Sequence, residues 1–248
     1  MFQTGLVSVS FRNSSAEEIV EAAKAANLTH IQWGSDVHAP RADFSALQRI
    51  SALCAANGIT CSYGTYFRFG QNSLEELHAY LHAAKMLNAG ILRVWCGTKN
   101  SDEYTLSELN AVYEDCKKAA AIAEKEGVVL GLECHHHTLT ASKENALALM
   151  QINSPAFRMF WQPNQYKSTA ENLEYAKLLA PYTVCIHAFH WENDNKYSLA
   201  TAEDTWRKYL KFFSPDIPVL LEFMPDDDIR SLPAESAALR RIIKTAQN

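Results

Sequence analysis

The chain has 248 residues, of which 48% are hydrophobic and 21% are charged, and its formal net charge is −5 at pH 7. A chain of this length and composition can bury one large core, and single-domain barrels commonly reach this size. The acidic balance, with no basic stripe, argues against nucleic acid and anionic membrane surfaces as partners.

The six cysteines contain no C-x-x-C pair, which favours reduced thiols over a disulfide framework. The N-terminus has no leader pattern, and no apolar run has the length of a membrane span. We therefore expect a cytoplasmic protein with no membrane partner.

Strand-like and helix-like segments alternate along the whole chain. The strands are short apolar runs, and the helices have apolar residues at helical spacing. Capping boxes such as Ser73 with Glu76 open helices, and glycines such as Gly127 follow them. In chain order we predict a strand at 5–10, a helix at 14–27, a strand at 29–33, a helix at 44–57, a strand at 59–63, a helix at 73–88, a strand at 91–95, a helix at 105–126, a strand at 128–133, a helix at 142–151, a strand at 158–162, a helix at 169–179, a strand at 183–189, a helix at 201–212, a strand at 219–222 and a helix at 232–245.

This alternation predicts an α/β fold, and the number of its units indicates a barrel. Eight strand–helix units in about 250 residues are typical of a (β/α)₈ TIM barrel. A doubly wound open sheet would have fewer strands and a phosphate-binding turn, and the sequence contains neither G-x-G-x-x-G nor a P-loop. Since no linker or low-complexity tract interrupts the pattern, we predict a single domain over residues 1–248.

Polar residues stand at the ends of the last four predicted strands. The stretch LGLECHHHTLT, residues 130–140, places Glu133 at the end of the fifth strand. Alternate residues of a strand point to opposite faces, so the leucines of this strand pack outward on helices and Glu133 points into the barrel. The same alternation points Gln162, His187 and Glu222 inward. In a TIM barrel the carboxyl ends of the strands form the active site, so these four side chains should converge.

This convergence predicts a metal site. Two buried carboxylates that face each other repel unless a proton or a cation lies between them. Carboxylate and imidazole ligands together suit Mn²⁺, Mg²⁺, Co²⁺ or Zn²⁺. We therefore predict that Glu133, Gln162, His187 and Glu222 bind one divalent metal ion.

The ordered motifs LGLECHHHTLT, FWQPN, IHAFHW and PVLLEF resemble the strand ends of the xylose isomerase-like barrels, the sugar-phosphate isomerase/epimerase superfamily. WGSDVHAP and SYGTYFRFG on the second and third strands also fit it, so the resemblance covers essentially the whole chain. It implies a divalent metal held by Glu, Asp, His and Glu on strands five to eight. Glu133, His187 and Glu222 match this set, whereas Gln162 stands where the family has Asp. An amide supplies an oxygen without charge, so we expect weaker metal binding.

The substrate is expected to contact side chains beyond these four. His135 shares the parity of Glu133, while His136 and His137 are interpreted as loop residues. Arg93 points into the barrel, where it either pairs with a carboxylate or binds a substrate oxygen. The predicted substrate-binding residues lie at or just after strand ends: His38, Tyr66, Arg93, Trp95, His135, Gln165, His190 and Trp191.

The resemblance implies a sugar isomerase or epimerase that acts on a small ketose, an aldose or a sugar phosphate. A metal-assisted proton transfer would pass through an enediolate, with Glu133 and Glu222 as the acid/base pair. Three alternatives stay open: an inosose-type dehydratase, a non-catalytic sugar-binding barrel, which Gln162 favours, and an abasic-site endonuclease-like phosphodiesterase. The last would need more metal ligands and a basic DNA groove. The aromatic loop SYGTYFRFG could serve a homo-oligomer interface.

Overall fold

The computed structural model describes residues 2–192 and 194–246. Eight parallel strands close into a barrel in the order β1-β10-β7-β6-β5-β4-β3-β2, and β8 and β9 form a separate two-stranded sheet. The barrel strands are β1 (Gln3–Val7), β2 (His30–Gly34), β3 (Thr60–Phe69), β4 (Ala89–Cys96), β5 (Val129–Glu133), β6 (Phe157–Trp161), β7 (Thr183–Ala188) and β10 (Pro218–Leu221), and the small sheet pairs β8 (His190–Glu192) with β9 (Asn195–Tyr197).

Eight α-helices in the described chain follow the barrel strands, so the predicted (β/α)₈ TIM barrel is confirmed. None of the helices within the described residues combines the length and apolar character that crossing a membrane requires. The helices are α1 (Ala16–Ala25), α2 (Phe44–Ala56), α3 (Leu74–Met86), α4 (Leu106–Glu126), α5 (Lys143–Met150), α6 (Thr169–Leu179), α7 (Glu203–Leu210) and α8 (Leu232–Ala246).

Helix boundaries follow the capping chemistry of the sequence. Before α3, Ser73 Oγ accepts from the Glu76 amide and the Glu76 carboxylate accepts from the Ser73 amide, which completes the predicted capping box. The helix α4 ends at Gly127, which has a φ of +70°. This left-handed conformation strains residues with a Cβ atom, so glycine suits the position.

Two apolar layers hold the barrel together. The larger layer lies between the strands and the surrounding helices. The smaller layer fills the barrel interior with Val7, Phe160, Cys185 and Leu220. Gly131 leaves room for the Phe160 ring, since a Cβ atom at position 131 would lie only 3.1 Å from that ring. The interior layer therefore ends in the polar side chains at the carboxyl ends of the strands.

Two predicted strands differ most from the structure, and one hairpin was not predicted. The first predicted strand ends early, because a short 3-10 helix (Ser8–Phe11) follows β1. The strand β3 extends to Phe69 through a register shift against β4 between Gly64 and Arg68. The β8–β9 hairpin was not predicted, since three-residue strands are too short to show a period.

Candidate active site

Two carboxylates and one imidazole meet inside the carboxyl-terminal end of the barrel. Glu133 ends β5, His187 lies in β7 and Glu222 directly follows β10. One potential ligand atom from each lies within 4.8 Å of the other two, and all three side chains are buried. The alternation of side chains along the strands therefore brings together the residues that the sequence predicted to face the barrel interior.

The imidazole of His187 is surrounded by oxygen atoms. Its Nδ1 lies 3.0 Å from Gln162 Oε1, 3.3 Å from Glu222 Oε2 and 3.5 Å from Glu133 Oε1. Its Nε2 lies 3.1 Å from Gln32 Oε1. Each ring nitrogen thus faces an amide oxygen, which only accepts, and three oxygen atoms lie around Nδ1. Such an arrangement needs a proton or a cation at its centre.

The donor set fits a divalent ion. It offers two carboxylates, one amide oxygen and one imidazole nitrogen, which are ligand types that Mn²⁺, Mg²⁺, Co²⁺ and Zn²⁺ accept. The hydrogen bond from His187 Nε2 to Gln32 would orient the ring and fix its tautomer, as partners of metal-bound histidines commonly do. The sequence prediction did not include Gln32, although strand alternation points it into the barrel.

Glu133 is a carboxylate held by two donors. Its Oε2 accepts hydrogen bonds from Arg93 Nη1, at 2.8 Å, and from Trp95 Nε1. Of the two roles left open for Arg93, the structure shows the ion pair with a carboxylate, and both side chains are only 5% exposed. Burial alone would raise the pKa of Glu133, but Arg93 and His187 outweigh it and hold this pKa well below its usual range.

Glu222, unlike Glu133, lies in an environment that disfavours its charged form. Its Oε2 has no hydrogen-bond partner among the described residues, although the side chain is buried. Burial and the nearby charge of Glu133 raise the pKa of Glu222 despite the attraction of His187. A pair of acids with pKa values pushed in opposite directions is typical of acid/base sites.

A cavity of about 510 Å³ opens above these carboxylates, and we call it the carboxylate cavity. A volume of this size suits a small-molecule ligand. Nine of the predicted site residues line it: Tyr66, Arg93, Trp95, Glu133, His135, Gln162, Gln165, Trp191 and Glu222.

Two predicted substrate-binding residues lie outside this cavity. His38 Nε2 bonds to the carbonyl of Ser14, and its ring packs edge-on against Trp33. His190 Nδ1 bonds to Thr201 Oγ1 at 2.6 Å. Neighbouring residues of a strand face opposite ways, so β8 turns Trp191 into the cavity and His190 away from it. We do not assign a substrate contact to either histidine.

Part of the cavity wall comes from segments that the sequence analysis overlooked. Residues 9–14 follow β1 and line the cavity, although none of them was among the predicted site residues. Every βα loop of a TIM barrel reaches this face, so topology alone could have identified them. Phe189, Lys196, Phe223 and Asp227 also line it, and no sequence motif marked them.

Every cationic side chain of the described cavity wall already has an acidic partner. Arg12 and Lys196 pair with Asp36 and Asp227, and Arg93 pairs with Glu133 as described above. The carboxylate cavity therefore offers no spare cation for an anionic substrate group.

Two threonines shape the three-histidine loop after β5. Thr140 Oγ1 donates to the carbonyl of Glu133 at 2.5 Å, and Thr138 Oγ1 donates to the carbonyl of His135 at 2.6 Å. His135 Nδ1 donates to the carbonyl of His136 at 2.7 Å, so Nε2 is the ring nitrogen not used in this hydrogen bond. The threonines turn back into the protein, which leaves the histidines at the rim of the site.

A family model described as the xylose isomerase-like TIM barrel matches residues 20–187. No curated protein gives a significant sequence match.

Several solved structures are similar to this chain over nearly its whole length. The probable 3-DHS dehydratase AsbF, involved in petrobactin synthesis in Bacillus anthracis, has a TM-score of 0.81 at 16% identity and 97% and 99% coverage of the two chains. L-ribulose 3-epimerase has a TM-score of 0.75 at 14% identity, with 100% and 96% coverage. A xylose isomerase-like TIM barrel protein from Mycobacterium smegmatis in complex with magnesium has a TM-score of 0.69 at 12% identity, with 99% and 97% coverage. At these identities the similarity shows the fold alone.

Proposed function

The chain belongs to the xylose isomerase-like TIM barrel family, and from the geometry of its site we propose that it isomerises or epimerises a small sugar by moving a proton on the carbon next to a carbonyl. The observation that carries this proposal is the pair of buried carboxylates at the floor of the cavity, one held by Arg93 and one with an oxygen that accepts no hydrogen bond from the described residues. Structural neighbours that are named as sugar epimerases support it.

Glu133, Gln162, His187 and Glu222 would hold the divalent ion. When bound, the ion would supply Lewis-acid stabilisation of negative charge on substrate oxygens. A structural neighbour in complex with magnesium supports this part of the proposal. The metal's identity is left open among Mn²⁺, Mg²⁺, Co²⁺ and Zn²⁺.

The two glutamates take different roles. Glu222 has an oxygen without a hydrogen bond and an elevated pKa, so it removes the proton next to the carbonyl and, in isomerisation, returns it to the neighbouring carbon of the enediolate. Epimerisation needs Glu133 as the second proton-transfer group, because the proton must arrive on the opposite face. Glu133 is the ionised partner, because Arg93 and Trp95 hold one of its oxygens. Trp95, Trp191 and Phe223 line the cavity above them and shield the reacting carbon from water. Since the cationic side chains of the cavity are paired, an unphosphorylated sugar fits it better than a sugar phosphate.

Proton exchange with solvent tests the proposed reaction. Ketopentoses and ketohexoses incubated with the protein and a divalent metal in D₂O should gain deuterium at the carbon next to the carbonyl, because a glutamate exchanges its proton with solvent during turnover. Proton NMR of the sugar measures the loss of that signal. A non-catalytic sugar-binding barrel would bind the sugar without exchange, and isomerisation without deuterium uptake would contradict the glutamate mechanism.

A dehydratase is the second candidate, and His135 favours it. The ring lines the cavity, and its Nε2 could remove a proton while Glu222 protonates a departing hydroxyl group. The neighbour named as a probable dehydratase supports this candidate. Mass spectrometry separates the two reactions, because dehydration removes one water from the substrate and isomerisation leaves its mass unchanged.

Restoring the acid of the family pattern should strengthen metal binding. Gln162→Asp adds a negative charge beside His187, so we expect the affinity for Mn²⁺ to rise by about tenfold or more, as ligand charge commonly dictates. Gln162→Asn is the matched control because it has the same size without the charge. Titration calorimetry measures both, and equal affinities for the two variants would exclude residue 162 as a ligand.

A further inference from the structure

A second cavity of about 610 Å³ lies on the same face of the barrel. It is formed by the loops after β4, β5 and β6, through residues such as Asn100, Lys143 and Tyr166. His136 lines both this second cavity and the carboxylate cavity, so the two spaces adjoin at its ring.

A column of aromatic rings runs from one cavity to the other. It starts at Trp95, which donates a hydrogen bond to Glu133. The ring centroids of Trp95 and His135 are 4.9 Å apart, and those of His135 and His136 are 4.2 Å apart in a stacked arrangement. His136 then meets Tyr166 edge-on at 5.2 Å. The three-histidine motif therefore connects the carboxylate pair to the second cavity.

The column is held by hydrogen bonds rather than by burial. The threonines of the β5 loop fix His135, as described above. Tyr166 donates its amide to Asn164 Oδ1 at 2.9 Å, and the amide group of Asn172 donates to the carbonyl of Asn164 at 3.0 Å. Tyr166 is nevertheless 64% exposed. An exposed aromatic ring on an anchored loop is a feature of ligand-binding surfaces.

The second cavity is polar, with three acidic side chains (Asp102, Glu144 and Glu171) and two lysines that lie beside glutamates. Lys143 pairs with Glu174 at 2.5 Å, and Lys167 lies 4.0 Å from Glu171. Asn100 and Ser101 add neutral hydrogen-bonding groups to the wall. Aromatic rings beside neutral polar groups suit a ligand with C–H faces and hydroxyl groups, which a sugar ring has.

We propose that the substrate extends past His136 into the second cavity, so that the enzyme prefers a ketose linked to a second sugar ring over a free monosaccharide. This inference rests on the proposed function, because it takes the reacting ketose to lie over Glu133 and Glu222. The second ring then lies against Tyr166 and the wall formed by the β4 and β5 loops.

Calorimetric binding of one-ring and two-ring ketoses tests this inference. The probes are D-fructose and its glycosides lactulose, maltulose and isomaltulose, titrated into the full chain with Mn²⁺. We expect at least one disaccharide to bind about tenfold or more tightly than D-fructose. Tyr166→Ala should remove this difference without changing the affinity for D-fructose, and Tyr166→Phe should keep it because the ring remains.

Tyr197→Ala is the matched control, since Tyr197 is also exposed but lines neither cavity, and it should bind all four sugars as the unaltered protein does. If D-fructose binds and no disaccharide binds more tightly, the two-ring inference is wrong and the proposed function stands. The same holds if Tyr166→Ala weakens D-fructose and disaccharides equally. If none of the four sugars binds, both the inference and the proposed function fail.

Discussion

Replacing Glu222 by glutamine should lower turnover by about 10²–10⁴-fold, the usual effect of removing a general base. Glutamine keeps the volume of the side chain and removes the free oxygen that would exchange the proton. The barrel should stay folded, because the lost charge is buried without a hydrogen-bond partner for Oε2 among the described residues. The measurements are kcat on a ketose that exchanges deuterium and the thermal unfolding midpoint.

Glu235→Gln provides the matched control for this variant. Glu235 is also buried, but it accepts hydrogen bonds from Ser198 Oγ and the Leu199 amide and lies in α8 outside the carboxylate cavity. The same substitution there should reduce stability and leave turnover within a few fold. If Glu222→Gln retained near-normal turnover, the assignment of Glu222 as the acid/base would have to be abandoned.

The sequence predicted the barrel and the convergence of the four polar side chains because both follow from backbone periodicity. Parallel strands buried on both faces are short apolar runs, and helices between them show capping residues at their starts. Once the strands are located, alternation decides which side chains point inward. No further information was needed to place Glu133, Gln162, His187 and Glu222 inside the barrel. The same rule could have identified Gln32.

Other contacts depend on the register between strands and on the conformation of loops. The hydrophobic periodicity of the sequence determines neither of these. Arg93 meets Glu133 because β4 pairs with β5 with Arg93 beside Gly131. Sequence alone could not choose between this carboxylate and a substrate oxygen. The ion pair of Lys196 with Asp227 joins β9 to the loop after β10, thirty-one residues further along the chain. The three-histidine column likewise depends on the threonine hydrogen bonds within its loop.

The Arg93–Glu133 pair should dominate the stability of the site. Glu133→Gln leaves Arg93 as a buried cation with only an amide beside it, so we expect the free energy of unfolding to fall by about 3–5 kcal/mol. Arg93→Met leaves the carboxylate unpaired and should cost a similar amount. The measurement is urea denaturation in the presence of a chelator, so that metal binding does not contribute to the folded state.

The double variant Arg93→Met with Glu133→Gln distinguishes an ion pair from two independent contributions. Because both charges are removed together, no unpaired charge stays in the barrel, and most of the loss should be recovered despite the altered packing. Losses that simply add would show that Arg93 and Glu133 do not stabilise each other. Turnover should remain low in the recovered variant, because Glu133 is one of the proposed metal ligands. Restored stability without restored activity would therefore show two separate roles. Arg93 holds the Glu133 carboxylate in place, and the carboxylate itself takes part in the reaction.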